Sequence, residues 1–265
     1  MIQETTHPLE LALKSAGYDL HHWPLITTQG PQDETALMQA WSGIERHQAV
    51  MFVSPQAVHH FFLRRPHWVT PSFECWATGP GSREALIRVG VDSSRIQIPD
   101  ESVGIWDTDQ LWLKVQHRVQ VGSSVLIVRG GQAWPGSVDD ALGAPARVSE
   151  CVDAGVGRAY LGQQLRAHGV QVEFVVAYVR SCPKWSDAQT AQARAALLDK
   201  SVWLFSSSQA VQHLASLLPD GEYRAAQALA THERIAKELE KLGFGVVVRS
   251  RQHTEDLLAS LKSMQ

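Results

Sequence analysis

Residues 52–58 read FVSPQAV, and residues 205–211 read FSSSQAV. Each heptad begins on the last residue of a short apolar run, Ala49–Phe52 in one case and Val202–Phe205 in the other. Small hydroxyl residues come next, and Gln-Ala-Val then opens a helical pattern. The echo stays in register beyond the heptads. Ala77-Thr78 and Ala230-Thr231 follow at one common offset, and so do Gly90-Val91 and Gly243-Phe244. Further on stand Asp107-Thr108-Asp109-Gln110-Leu111 and His253-Thr254-Glu255-Asp256-Leu257. Two copies of one strand–helix unit account for this order. Alternating strands and helices imply parallel sheets covered on both faces. The expected fold is therefore α/β, with two similar doubly wound lobes joined by a two-stranded linker. Crossovers of one hand gather the strand-to-helix turns of each lobe at the carboxyl ends of its strands. Two such lobes imply a cleft for a ligand.

The remaining pattern sets the expected boundaries. Leu9 to Ala16 reads as a helix capped by Thr6 and ended by Gly17. Tyr18 to Ile26 is strand-like, with Pro24 marking an edge or an end. Glu34–Ile44, Gln56–Leu63, Ser82–Val89 and Arg158–His168 have helical periodicity, and Phe73–Ala77, Val121–Arg129 and Val170–Arg180 have β character. Pro55 sits where a first helical residue belongs. The stretch 132–157 is rich in Gly, Pro, Ala and Ser and gives no clear pattern. The second copy has nothing to match Val121–Gly169, so the N-terminal piece is expected to complete it. Lobe B then spans 29–173. Lobe A comprises 1–26 plus 181–265, with 27–28 and 174–180 as linker strands.

Bulk properties exclude several classes. The 265 residues suffice for two domains, and 44% hydrophobic content supports a real core. A net charge of −3 creates no global field for nucleic acid. Cys75, Cys151 and Cys182 are scattered, which suits a reducing compartment better than a disulfide framework. No apolar run approaches membrane-spanning length, and the start lacks the pattern of a signal peptide. A cytoplasmic monomer with no membrane partner is the expectation.

Candidate site residues sit at the turns. Ser54, Pro55 and Gln56 in one lobe, and Ser207, Ser208 and Gln209 in the other, stand where a strand feeds a helix N-terminus. Free N–H groups and the dipole favour anions there, although plain N-capping also explains the serines. Thr78, Gly79, Gly81 and Ser82 form a turn that a ligand can approach closely. It is no dinucleotide fingerprint. Its counterpart, Thr231-His232-Glu233-Arg234, offers His232 and Arg234 to a carboxylate or leaves them solvated. Arg129-Gly130 ends a buried strand, so Arg129 serves either an anion or a structural ion pair. Tyr178 lies in the apolar run VVAYVR, with Arg180 on the same strand face. Its hydroxyl is either satisfied by backbone or offered as a weak acid. His21-His22 and His59-His60 are neighbours with no chelating spacing, and no HExxH, GxSxG or Walker A pattern occurs.

Taken in order, FVSPQAV, ATGPGSREAL, VLIVRGG, VVAYVR, VWLFSSSQAVQHL and THERIAKELEKLGF resemble the uroporphyrinogen-III synthase family. The resemblance implies two α/β lobes and cyclisation of the linear tetrapyrrole hydroxymethylbilane to uroporphyrinogen III. The last ring is inverted through a spiro intermediate, and water is lost. It implies no cofactor and no metal. Hand-over of substrate from the preceding enzyme of the pathway is a further expectation. Tyr178 matches the family's linker tyrosine and becomes the candidate proton donor. Ser54, Ser82, Arg129 and Ser207 fall at substrate-facing turns, where several side chains are expected to be individually dispensable because backbone donors remain. Family members open with a strand ending in Thr-Arg-Pro. Met1 stands about where that Arg falls, so lobe A is expected to lack its first strand. The competing expectation is a non-catalytic two-lobed protein that binds tetrapyrroles or carboxylates.

Overall fold

The computed structural model describes residues 8–132, 156–251 and 253–264. The expected cap Thr6 and nearly all of the stretch 132–157 lie outside the described residues. In chain order the elements are α1 (Pro8–Ser15), β1 (Thr27–Gln29), α2 (Thr35–Ser42), β2 (Ala49–Phe52), α3 (Pro55–Phe62), β3 (Glu74–Ala77), α4 (Pro80–Arg88), β4 (Ile96–Gln97), α5 (Thr108–Val115) and β5 (Ser124–Gln132). There follow α6 (Val156–Ala167), β6 (Gln171–Ser181), α7 (Asp187–Ala196), β7 (Val202–Phe205), α8 (Ser208–Leu217), β8 (Gln227–Ala230), α9 (Glu233–Leu242), β9 (Val246–Arg249) and α10 (Thr254–Lys262). The chain divides at Thr27/Thr28 and at Ser181/Cys182 into two compact units. No helix among the described residues is long and apolar enough to cross a membrane.

The unit spanning residues 28–181 is built on a six-stranded sheet in the order β1-β6-β5-β2-β3-β4. The pairings of β2 with β3 and β5, of β3 with β4, and of β5 with β6 are parallel. The run Ala49–Phe52 is apolar throughout because both faces of β2 are covered. Val50 and Phe52 join a core with Leu37, Trp41, Val58, Phe61 and Leu86. Ala49 and Met51 face the other way, onto Trp76, Leu111, Trp112 and Leu161. Trp41 stacks on Phe61 at 4.4 Å between ring centroids, and its indole N–H donates to the Phe61 carbonyl at 3.0 Å. That bond satisfies the one polar atom the ring carries into the core.

The other unit carries a three-stranded parallel sheet among its described residues, in the order β7-β8-β9. Ala228 and Ala230 face a core with Phe205, Val211, Leu214, Ile235 and Leu239. Leu229 points to the opposite face, where Leu13, Leu257 and Leu261 cover it. Helix α9 ends on Gly243 at φ +102°, a left-handed cap that glycine adopts without steric cost. Both units thus repeat strand, helix, strand, helix, strand, helix on sheets covered from both sides.

Two local expectations need correction. Tyr18–Ile26 is not a strand. Pro24 has no N–H for a ladder, and two carbonyls of the segment are taken by side chains instead. The Leu25 carbonyl accepts from His213 Nδ1 at 2.5 Å, and the Pro24 carbonyl from Trp185 Nε1 at 3.0 Å. Trp23 packs against Trp203 at 5.0 Å, so the stretch is held by its aromatic and carbonyl contacts. The second correction concerns β5. It does not stop at Arg129 but runs through Gly130-Gly131 to Gln132.

Candidate functional site

In the unit of residues 28–181 the turns after β2 and β3 lie side by side. A Cβ built on Gly81 would sit 3.5 Å from Pro55 Cγ. Ser54 caps α3, its Oγ accepting from the Ala57 N–H at 3.1 Å, and Pro55 takes the first helical position. Gln56 Oε1 accepts from the Thr28 hydroxyl at 3.4 Å. Next to it, Gly79 caps α4 with extended backbone and no side-chain bond, and Pro80 follows. The donors of that first turn are left to a ligand or to water. Thr78 is partly buried, whereas the Ser82 side chain turns inward and is 4% exposed.

Tyr178 reaches this edge through a register shift. Arg129 pairs with Val176 but Gly130 pairs with Tyr178, so β6 holds one extra residue, Ala177, opposite β5. Strict alternation places Val175 and Ala177 on one face and Tyr178 on the other. The bulge puts Tyr178 on the same face as Ala177, in the core against α3. The phenol is 2% exposed, and its oxygen lies 3.2 Å from Ser54 Oγ. Arg180 Nη2 stands 3.5 Å from that oxygen, with its guanidinium carbon 6.0 Å from the ring centroid. Gly130 explains why the ring fits. A Cβ there would lie within 2.8 Å of the phenol oxygen and nearer still to two ring carbons. Arg129 is half-buried, and its Nη1 donates to the Gly130 carbonyl at 3.3 Å.

Sequence reasoning did not place Thr28 or His60 here. His60 stacks on Tyr178 at 5.5 Å with 23° between the planes, and its Nε2 is 3.3 Å from Thr28 Oγ1. Burial holds the His60 imidazole below its ordinary value, and His59 and Arg64 add to the shift. One signal was available: Gln56 and His60 are four apart and share a helix face. Cys75, in the adjacent strand, offers no nucleophile, since burial pushes its thiol up to about 12.

The other unit sets out the second half of the echo by itself. Ser207 caps α8 without a side-chain bond. Ser208 Oγ instead accepts from Arg234 Nε at 3.2 Å. His232 caps α9 through Nδ1, which accepts from the Arg234 N–H at 3.1 Å. Arg234 therefore ties the two turns together. Gln209 lies in the first turn of α8, and the Thr231 N–H donates to the Phe205 carbonyl at 3.1 Å. Glu233 pairs with Lys237 at 3.5 Å and with Arg249, which offsets its negative charge beside the turn. A shallow concavity lined by Gly221–Arg224 and Leu242–Gly245 lies at the opposite edge, where β8 and β9 begin, and shares no residue with these turns.

Comparison with known proteins bears on the family and the fold. A family model described as uroporphyrinogen-III synthase HemD matches residues 8–152 and 140–259. No curated protein sequence matches. Among solved structures, uroporphyrinogen-III synthetase from Helicobacter pylori 26695 is 13% identical, with a TM-score of 0.54 over 94% of this chain and 97% of that one. A mutant uroporphyrinogen III synthase from the extremely thermophilic bacterium Thermus thermophilus is 12% identical, with a TM-score of 0.45 over 97% and 93%. The Helicobacter likeness supports the fold, and the family match covers nearly the whole sequence. The chain belongs to the uroporphyrinogen-III synthase family.

Proposed function

We propose that this chain cyclises hydroxymethylbilane to uroporphyrinogen III, with inversion of the last pyrrole ring and loss of water. The observation that carries the proposal, in a chain of this family, is the Tyr178 phenol seated against Ser54 at the carboxyl edge of a sheet. The net charge of −3 gives a polycarboxylate no general attraction. Capture then rests on local donors, such as the first turns of α3 and α4.

The first chemical event is departure of the terminal hydroxyl. Tyr178 is buried and Ser54 is half-buried at the edge. The proton therefore moves in a concerted relay, from phenol to Ser54 Oγ and from Ser54 to the leaving oxygen. The carbon–oxygen bond breaks, water departs, and an azafulvene cation remains. The transient phenolate faces Arg180 at 3.5 Å, a fixed positive charge where negative charge develops. The cation closes through the spiro intermediate to the inverted ring. The proton released when the pyrrole regains aromaticity restores the phenol. Direct closure also proceeds in water, so the chain's larger task is to hold the bilane in the conformation that inverts the ring.

The test is a coupled assay in which hydroxymethylbilane is generated in situ, the products are oxidised, and the porphyrin isomers are separated. Isomer III in excess is the expected result. Isomer I alone, in the proportion seen without protein, would overturn the proposal.

A further inference from the structure

Tyr178 is held from several directions, and one of its neighbours has no place in the relay just described. His60 lies on α3, one turn beyond Gln56. Its ring stacks against the phenol in the offset, near-parallel arrangement that aromatic pairs favour. A leucine or phenylalanine would also cover the ring. Histidine adds a directed bond. The Thr28 hydroxyl has one proton, which it gives to Gln56 Oε1. Thr28 Oγ1 must then accept from His60, so the Nε2 nitrogen carries the hydrogen. The imidazole is thereby fixed in tautomer and in ring plane by a strand residue, Thr28, and a first-turn residue, Gln56. Burial favours its neutral form, and His59 on α3 and Arg64 just past its end add to that preference.

We propose that His60 is a positioning residue for Tyr178: the Thr28-anchored imidazole fixes the plane of the phenol so that its hydroxyl stays on Ser54. This rests on the role of Tyr178 given above. The Ser54–Tyr178 contact is 3.2 Å, and a phenol free to swing about its Cα–Cβ bond loses it. Gly130 leaves room for the ring but does not direct it, because it carries no side chain. Arg180 approaches at a longer distance. The stacked imidazole is the one aromatic surface paired with the Tyr178 ring among the described residues.

The experiment combines a structural and a kinetic arm. In the first, Tyr178 ring proton resonances are assigned in the substrate-free chain by their loss in Tyr178→Phe. His60→Ala should shift them as the stacked ring's current is removed, and His60→Phe should recover most of the shift. In the second, the isomer assay should show His60→Ala lowering kcat about tenfold with little change in KM, as expected for misplacement of a reacting group. His60→Phe should recover part of that loss. In the Tyr178→Phe background the tenfold effect should shrink toward onefold, because the two residues act as a unit. Unmoved Tyr178 resonances in His60→Ala would overturn the proposal, as would a loss expressed in KM alone or one undiminished in the Tyr178→Phe background. Shifted resonances with wild-type rates in all variants, Tyr178→Phe included, would uphold the positioning while removing the proton-donor role of Tyr178.

Discussion

The strand-to-helix turns after β2 and β7 come from the same heptad pattern, yet they end in different chemistry. Ser54 spends its oxygen on the Ala57 N–H and on a phenol, whereas Ser207 makes no side-chain capping bond. The difference arises outside the heptads. In the unit of residues 28–181, β2 is flanked by β5, and β5 by β6, so Gly130 and Tyr178 are brought to the turn. Among the described residues of the other unit, β7 pairs only with β8. Its turn is instead braced by Arg234 from the next helix. The two turns thus share one strand-to-helix geometry, while a serine side chain meets a phenol in one unit and a guanidinium in the other.

The comparison breaks most visibly at Gly130. Gly130→Ala should displace the Tyr178 ring, since the new Cβ cannot coexist with it. Isomer III formation should fall on the order of 100-fold, the scale of a reacting group moved by about 1 Å. Urea unfolding should show a loss of about 1–3 kcal/mol from overpacking. A milder contrast comes from the paired serines. Ser54→Ala removes a cap and should cost about 1 kcal/mol. Ser207→Ala removes no side-chain cap and should stay within about 0.5 kcal/mol, as surface changes do. Equal losses in the two variants would mean that the turns are not chemically distinct.

The smallest expected effect is a pH dependence placed in one unit. His47, just before β2, is buried, bonded through Nδ1 to Ser124 Oγ at 2.9 Å, and its Nε2 has no partner. Burial lowers its titration from the ordinary value of 6.5, with Glu173 opposing and Arg46 assisting the shift. His60 is shifted in the same direction. A lowered folded-state value means that the unfolded chain takes up protons first as pH falls. The stabilisation is complete above about 6.5 and is lost as pH drops through the folded-state values. Urea midpoints measured from about pH 7 down to about pH 5 should decline, and His47→Gln should flatten part of that slope.

Much of the fold was legible because the echo fixed both period and spacing. Strands whose apolar residues run unbroken, such as Ala49–Phe52, announced burial on both faces. What stayed hidden was set by tertiary contact. Tyr18–Ile26 has β-like composition, but Pro24 and the side chains of Trp185 and His213 claim its backbone. Strand β4 has two residues, too few for any periodicity to register. The turns of the candidate site were visible as Ser, Gly and Pro at helix starts. The bulge at Ala177 was not, because nothing in VVAYVR marks an extra residue, and without it Tyr178 faces the wrong side of the sheet. His60 was set aside as one of two adjacent histidines unable to chelate. Its contact with Tyr178 depends on how α3 lies across β6, which no local pattern encodes.

Tyr178→Phe tests the central claim most directly. The substitution leaves the ring in its place and removes the proton at the start of the relay. With the fold verified by circular dichroism, the coupled assay should show isomer III formation reduced on the order of 100-fold, at the lower bound for loss of a general acid. Isomer I should then rise toward the proportion formed without protein. Isomer III produced at the wild-type rate would contradict the account.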